Sequence, residues 1–111
     1  MNTKLRVAVC SSDGRMVDEH FGSTSQFLIL EIAKSSVHFS EWRKTEPSCQ
    51  SGGHDASASA RNIALIEDCQ LLVAVRAGPP VLAKLAAKGI QVHLTDNSIA
   101  DTIELLRNQL S

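Results

Sequence analysis

The sequence predicts an α/β protein in which helices cover both faces of a mixed five-stranded sheet. Short apolar runs of strand length alternate with amphipathic helical stripes along the chain. No helix is predicted between the first three strand-like runs, so irregular segments connect them. The later runs are separated by predicted helices. Hairpin links make strand 2 antiparallel to strand 1, and helical crossovers make strands 4 and 5 parallel to it. We therefore expect a three-layer fold with strand order 3-2-1-4-5.

The N-terminal half supplies the first three strands. Leu5–Cys10 alternates large apolar residues with smaller or polar ones, and Gln26–Ile32 is a more continuously apolar run. Strand 3 is predicted over Val37–Arg43, where polar residues fit a position at the edge of the sheet. The segment 46–54 that follows is rich in glycine and serine and has the composition of a mobile loop.

The C-terminal half predicts helices and strands in alternation. Pro79 and Pro80 suit the first turn of a helix, Gly89 is a natural helix stop, and Ser98 with Asp101 resembles a capping box. The predicted spans are Ala56–Asp68 (helix), Leu71–Val75 (strand), Val81–Lys88 (helix), Ile90–Leu94 (strand) and Ile99–Leu110 (helix).

Length and composition predict one domain over residues 1–111 with a hydrophobic core of its own, since 43% of the residues are hydrophobic and 21% are charged. A net charge of -1 gives no reason to expect nucleic acid or an anionic membrane as a partner. The chain enters strand 1 directly and has no apolar run of bilayer-spanning length, so we expect no signal peptide and no membrane span. Three cysteines fit a reducing cytoplasm.

The most unusual stretch lies between strands 1 and 2. In Asp18-Glu19-His20-Phe21-Gly22 a histidine stands beside two carboxylates and a Phe-Gly pair, in a segment too polar to form core. Sheets of this type place ligands outside the carboxyl ends of their parallel strands. The loop with His20 and the turn with Gly78 both lie at that edge. The residues alone leave two interpretations open, a solvent-exposed loop histidine and a ligand site.

A second group of candidate ligands lies in the segment 46–54. Cys49 and His54 flank Gly52-Gly53, and thiolate and imidazole are ligands that iron, zinc or copper prefer. The spacing is not that of a zinc finger, and the sequence has no Cys-x-x-Cys, so a closed structural site is not expected. An open site completed by a bound cluster and an incidental thiol both fit the residues. Of the other cysteines, Cys69 is predicted in the core, and Cys10 in the core or at the border of the cleft.

A metal-dependent nuclease is disfavoured, although the predicted topology resembles that of ribonuclease H-like nucleases. Such enzymes need several carboxylates around divalent metals. Strand 1 carries none, because Arg6, Ala8 and Cys10 stand between its apolar residues and the nearby acidic residues belong to the following loop. The Gly-x-Ser-x-Gly, P-loop and dinucleotide-binding glycine patterns are also absent.

Taken together, the pieces resemble the dinitrogenase iron-molybdenum cofactor-binding family. The combination of the His-Phe-Gly element, the loop with Cys49 and Gly52-Gly53, and the Gly-Pro turn is specific. The chain departs from relatives in which an aromatic residue precedes the loop cysteine, because Ser48 stands there. The matching stretches, in order over almost the whole chain, are Val7-Ala8-Val9, Ser12-Asp13-Gly14, Val17 to Gly22, Phe27 to Ile32, Cys49, Gly52-Gly53-His54, Asp68-Cys69, Gly78-Pro79, Leu85 and Gly89-Ile90.

The resemblance implies a ribonuclease H-like motif fold and a non-enzymatic accessory protein. Such a protein binds an iron-sulfur or iron-molybdenum cluster as transient cargo and hands it on, as in nitrogenase cofactor biosynthesis. The family includes free-standing cofactor carriers and the C-terminal domain of the radical enzyme that builds the cofactor core. The implied partners are cluster-donating and cluster-accepting proteins, and we expect a monomer or a weak dimer.

The histidine of the His-Phe-Gly element is the candidate cluster ligand in the family, which points to His20 here. The expected metal ligands are His20, Cys49 and His54, and the expected cofactor-binding site adds Phe21, Gly22 and Gly78. The alternative is a small regulatory or interaction module that binds a small anion or a partner protein in the same cleft, with no cluster.

Overall fold

Five strands and three helices follow one another in the predicted order. The computed structural model describes residues 4–45 and 56–110, and the side chains of the first helix from Ala60 onward. The segment 46–54, predicted as a mobile loop, lies outside the described residues. The elements are β1 (Leu5–Cys10), β2 (Gln26–Ile32), β3 (Val37–Lys44), α1 (Ala56–Ala64), β4 (Leu71–Ala74), α2 (Pro79–Ala87), β5 (Gln91–Leu94) and α3 (Ile99–Asn108).

The strand order is β3-β2-β1-β4-β5, which confirms the predicted topology. β2 lies antiparallel to both β1 and β3, whereas β4 is parallel to β1 and β5 is parallel to β4. The register between β2 and β3 shifts between Ile29 and Leu30, which leaves Ser40 as an extra residue on the edge strand. Such a bulge disrupts the ladder and protects an exposed edge from pairing with another chain. The carboxyl ends of β1, β4 and β5 share one edge of the sheet.

Each face of the sheet packs against its own helices. On one face Phe27 and Ile29 of β2 join a core cluster with residues of α1 and α2, including Ile63 and Leu85. On the other face the strands pack with α3 and with Val17 of the loop after β1. Full burial of a large apolar side chain contributes about 1.5–3 kcal/mol, so both faces are substantial sources of stability. The three-layer architecture is thereby confirmed.

Helix α1 ends at Ala64, four residues before the predicted end at Asp68. Beyond the helix the backbone forms tighter turns, in which the amide of Ile66 donates to the carbonyl oxygen of Ile63, three residues earlier. The guanidinium of Arg43 on β3 explains this end. It donates to the carbonyl oxygen of Leu65 over 2.6 Å and to both carboxylate oxygens of Asp68 over 2.7 and 2.8 Å. These contacts hold the segment against β3 and away from a continued helix.

The other boundaries lie within two residues of their predicted positions. α2 begins at Pro79 and not at Val81, because a helix tolerates proline in its first turn, where the missing N–H would have no partner. α3 has the predicted cap, since the Ser98 hydroxyl oxygen accepts the Asp101 amide at 3.1 Å. Gly89 has φ +79°, which is the left-handed conformation expected at a helix stop.

Candidate functional site

His20 is held by its backbone at the carboxyl edge of the sheet. The carbonyl oxygen of Glu19 accepts the Val75 amide at 3.0 Å, and the Phe21 amide donates to the Arg76 carbonyl oxygen at 2.8 Å. The segment around His20 therefore lies alongside the residues that follow β4. The His20 carbonyl oxygen closes a turn by accepting the amides of the third and fourth residues after it, at 3.1 and 2.9 Å. The imidazole is exposed, and no described residue hydrogen-bonds to it.

Phe21 anchors this segment in the core. Its side chain is fully buried, and its ring centroid lies 5.8 Å from that of Phe27. Tilted aromatic pairs at this distance are favourable beyond the apolar area that they bury. The side chain of Phe21 is thus inaccessible to a ligand in this structure, and its part in the predicted site is to fix the backbone next to His20.

The loop before His20 is tied together by short-range hydrogen bonds. The carboxylate of Asp18 accepts both the amide of Ser12 at 2.9 Å and its hydroxyl at 2.5 Å. The Ser11 hydroxyl donates to the Met16 carbonyl oxygen at 2.6 Å. Hydrogen bonds from the amides of the second and third residues after it hold the pKa of Asp13 below its usual range. The carboxylate of Asp18 therefore stabilises the loop. His20 is the side chain of this stretch that is exposed and could coordinate a metal.

Glu19 has an environment different from that of Asp18. Partial burial, followed by the negative charge of Asp18, raises the pKa of the Glu19 carboxyl. A hydrogen bond from the Ser25 amide and the charge of His20 act in the opposite direction. The carboxyl group consequently faces Ser25 and His20, on the side of the turn into β2.

Gly78 leaves space at the same edge of the sheet. It caps the N-terminus of α2 with φ −69° and ψ 156°, a conformation open to any residue. A Cβ atom built on it would meet only Cδ of Pro80, at the ordinary contact distance of 3.8 Å. Pro79 and Pro80 lack the amide hydrogens that a helix N-terminus would otherwise present. Neither the backbone conformation nor the packing requires glycine here, and the missing side chain leaves open space beside the backbone. Gly22, in the turn after Phe21, is partly exposed.

Cys49 and His54 lie outside the described residues. The segment that carries them begins after Thr45, whose amide donates to the Ser25 carbonyl oxygen at 2.9 Å. The hydroxyl of Thr45 is hydrogen-bonded to the buried side chain of Asn62 in α1. This last described residue before the segment therefore stands at the same edge as His20. Within residues 4–45 and 56–110, no three histidine, cysteine or acidic side chains come together to hold a metal ion.

The two described cysteines belong to the core. Cys69 is 4% exposed, as predicted, and burial raises the pKa of its thiol to about 12. Cys10 has no exposed surface, which excludes the expectation that it borders the cleft. Burial raises the pKa of the Cys10 thiol, and a hydrogen bond with Thr24 lowers it only in part. Neither group offers a thiolate to a ligand.

Arg76 lies beside the candidate site, although the sequence analysis did not select it. Its carbonyl oxygen accepts the Phe21 amide, and its side chain is exposed at the edge that carries His20. The available signal was a charged residue two positions after β4, a strand whose four residues are all buried. The pairing that brings it beside His20 joins segments more than fifty residues apart, which periodicity does not show.

Fold and site together define an α/β protein that presents a histidine on a fixed backbone at the carboxyl edge of a mixed sheet. A family model described as "Dinitrogenase iron-molybdenum cofactor" matches residues 3–109. The chain belongs to this dinitrogenase iron-molybdenum cofactor family, as the sequence resemblance indicated.

Relatives of known name support this membership. The chain is 32% identical to the FeMo cofactor biosynthesis protein NifB of Sinorhizobium fredii. The similarity extends over 100 residues, which are 90% of this chain and 20% of that protein. It is 33% identical to Protein NifX of Azotobacter vinelandii, over 97% of this chain and 68% of the relative. It is also 33% identical to Protein NifX of Klebsiella pneumoniae, over 80% of this chain and 55% of that relative. The chain thus spans a fifth of that NifB, 55% of the Klebsiella NifX and 68% of the Azotobacter NifX.

Solved structures share the fold. The protein PH0822 superposes with a TM-score of 0.70 at 19% identity, over 96% of this chain and 94% of the other. The apo form of the orange protein from Desulfovibrio gigas gives a TM-score of 0.68 at 19% identity, over 96% and 91%. At these identities the likeness concerns the fold alone. None of the helices in the described ranges is long and apolar enough to cross a membrane.

Proposed function

We propose that this chain is a non-enzymatic accessory protein that binds an iron-sulfur or iron-molybdenum cluster and passes it on during nitrogenase cofactor biosynthesis. The observation that carries the proposal is the exposed imidazole of His20 on a backbone fixed on both sides. Membership of the family supports it, as does the similarity to proteins named for FeMo cofactor biosynthesis. Imidazole is a common ligand of iron and other transition metals, and it binds in its neutral form.

A carrier must hold its cargo and also release it. His20 is the accessible imidazole of the loop between β1 and β2, and one coordination bond from a fixed position provides a modest hold. Cys49 and His54 are proposed as further ligands on the basis of the sequence alone. An open site of few ligands leaves coordination positions on the cluster for an accepting protein, so transfer proceeds by ligand exchange without catalysis.

The electrostatics of the sheet edge favour an anionic cargo. β4 and β5 end at this edge and lead into α2 and α3 through short connections, so both of these helices begin there. The N-terminus of a helix carries a partial positive charge of about half an elementary charge. Clusters ligated by sulfide and thiolate carry net negative charge, which these termini attract. The opposing carboxylates of Asp18 and Glu19 each accept a backbone amide, from Ser12 and Ser25 respectively.

The proposed cargo site consists of His20 with the space left by Gly78 beside it, and the proposed partners are proteins that donate and accept the cluster. A reducing cytoplasm is the proposed location, because an exposed iron-sulfur cluster survives in a compartment that also keeps thiols reduced.

The test is an anaerobic titration of a preformed four-iron, four-sulfur cluster, followed by its absorption and by quenching of Trp42, the only tryptophan of the chain. His20→Ala should weaken binding by about tenfold or more, which corresponds to about 1.4 kcal/mol. The matched control is His38→Ala, an exposed histidine on β3 that pairs with Glu31 toward the opposite end of the sheet. Its affinity should stay within about twofold of wild type, and both variants should keep the free energy of unfolding within about 0.5 kcal/mol.

Gly78→Ala examines the space at the edge in the same assay. Because a Cβ atom meets no close contact there, the fold should be unaffected, while a cargo that approaches this backbone should bind more weakly. Equal affinity of wild type and His20→Ala would refute His20 as the ligand. A wild-type chain that binds no cluster but does bind an anion or a partner protein would favour the interaction module.

A further inference from the structure

Arg76 and His20 are neighbours across a short backbone pairing. The hydrogen bond from the Phe21 amide to the Arg76 carbonyl oxygen, at 2.8 Å, joins the two segments, and that from Val75 to Glu19, at 3.0 Å, continues the pairing. Phe21 and Ala77 are buried, whereas His20 and Arg76 are exposed. The imidazole and the guanidinium therefore stand on the solvent side of the same edge, one on each of two paired segments.

The positive charge of Arg76 is not used by the fold. The ion pairs among the described residues involve the cations Arg6, Arg43, Lys88 and Arg107, and not Arg76. Arg76 has no carboxylate partner in residues 4–45 and 56–110. Its structural contribution is made by its carbonyl oxygen, so the side chain is free to serve a ligand. A guanidinium stays protonated at any physiological pH and presents five N–H donors in a planar fork.

Glu19 lies close enough to His20 for their charges to interact, but both acidic groups of this stretch are engaged by backbone amides. The carboxyl group of Glu19 accepts the Ser25 amide on the β2 side of the turn, and the carboxylate of Asp18 accepts Ser12. Both acidic groups thus have partners on the side of β1 and β2. Arg76 lies on the opposite side of His20, where the chain leaves β4.

We propose that Arg76 is a binding residue that recognises the negative charge of the cargo while His20 coordinates its metal. The inference rests on the proposed function and specifies its cargo as an anionic cluster. The guanidinium donates hydrogen bonds to sulfur or oxygen ligand atoms of the cluster, next to the metal atom that His20 binds. The two-point arrangement selects a cargo that carries an anionic ligand atom beside an open coordination position. Such charge-assisted hydrogen bonds are stronger than neutral ones.

The experiment uses the full chain and the same preformed four-iron, four-sulfur cluster. Arg76→Gln should weaken binding about fivefold or more, and Arg76→Lys, which keeps the charge without the fork, should recover part of the loss. The matched control is Arg15→Gln, which removes an exposed positive charge at the same sheet edge but on the side of α3. Its affinity should remain within about twofold of wild type. The wild-type affinity should also fall more steeply with salt than that of Arg76→Gln, because screening weakens an exposed charge contact.

The outcomes separate this inference from the function on which it rests. If Arg76→Gln and wild type share the same affinity and the same salt dependence while His20→Ala still loses binding, Arg76 has no part in recognition and only this inference falls. If Arg15→Gln loses as much as Arg76→Gln, the effect is one of overall charge and the specific role is refuted. If the wild-type chain binds no cluster, the proposed function and the inference fall together. Thermal unfolding of each variant, compared with wild type, verifies that the substitution has left the fold intact.

Discussion

Trp42 on β3 lies directly against Gly14 in the loop after β1, although β2 separates the two strands. A Cβ atom on Gly14 would stand 3.2 Å from Cζ2 of the indole, and Gly14 adopts the left-handed conformation with φ +77°. Trp42 pairs with Leu28 on β2, which in turn pairs with Val9 on β1. The indole therefore reaches past β2 to the loop after β1, which is the loop that precedes His20.

We expect Gly14→Ala to lower the free energy of unfolding by about 1–2 kcal/mol for the left-handed backbone alone, with a further loss because the indole must move. Gly89→Ala is the matched control, because Gly89 has nearly the same φ of +79° but no atom within 4 Å of its added Cβ. The difference between the two variants measures the contact with Trp42. Urea unfolding, monitored by Trp42 fluorescence, gives both values. Equal losses would show that the indole moves away from the added Cβ atom without loss of stability.

The strand order was predictable because it depends on local patterns. Runs such as Leu5–Cys10 and Gln26–Ile32 are long and apolar, and the choice between hairpins and crossovers then fixes their directions. The end of α1 was not predictable from its own residues. The apolar stripe continues through Ile66, and it is Arg43, more than twenty residues earlier, that draws Leu65 and Asp68 away from a helical path.

The same distinction applies to the site. His20 could be selected as a candidate from its neighbours in sequence, since a histidine beside Phe21 and Gly22 in the polar loop between two strands is a local signal. Arg76 could not, because its position beside His20 depends on a hydrogen bond between distant segments. Cys10 was ambiguous for a related reason: the sequence places it at the end of β1 but does not show that Phe21 and its neighbours cover it.

Stability in acid should depend on Asp68. Hydrogen bonds from Arg43 hold the pKa of the Asp68 carboxyl well below its usual range, although partial burial acts in the opposite direction. A carboxyl whose pKa is depressed by folding contributes its full stability above the unfolded pKa of about 4, and this contribution is lost as the pH falls below that value. Because the Asp68 side chain is 50% exposed, solvent screening limits the effect.

Asp68→Asn should therefore cost at most about 1 kcal/mol at neutral pH, and its difference from wild type should shrink as the pH is lowered from about 4 toward 2. Urea unfolding at a series of pH values measures this difference. The control is Asp96→Asn, since the carboxylate of Asp96 forms no ion pair with the residues that the structure describes. A difference that is the same at pH 7 and at low pH would contradict the role of the ion pair with Arg43.

The three cysteines should differ in their reaction with an alkylating reagent. Cys10 and Cys69 are buried, and burial raises the pKa of both thiols, so neither thiolate forms in the folded protein near pH 8. Cys49 is expected from the sequence to react rapidly, because it stands in a polar, glycine-rich segment where a thiol is accessible. Mass spectrometry should find one label on the native chain and three after unfolding in denaturant.

Cys49→Ser is the control for this assignment, since the native variant should then take up no label within the same time. A bound cluster that Cys49 ligates should slow the labelling of the wild-type chain, whereas unchanged labelling would leave His20 as the anchor without Cys49. Rapid modification of Cys69 in the native protein would contradict its place in the core between α1 and β4. Rapid modification of Cys10 would require the segment around Phe21 to open, because Phe21 and Phe27 pack with Cys10 in the same buried cluster.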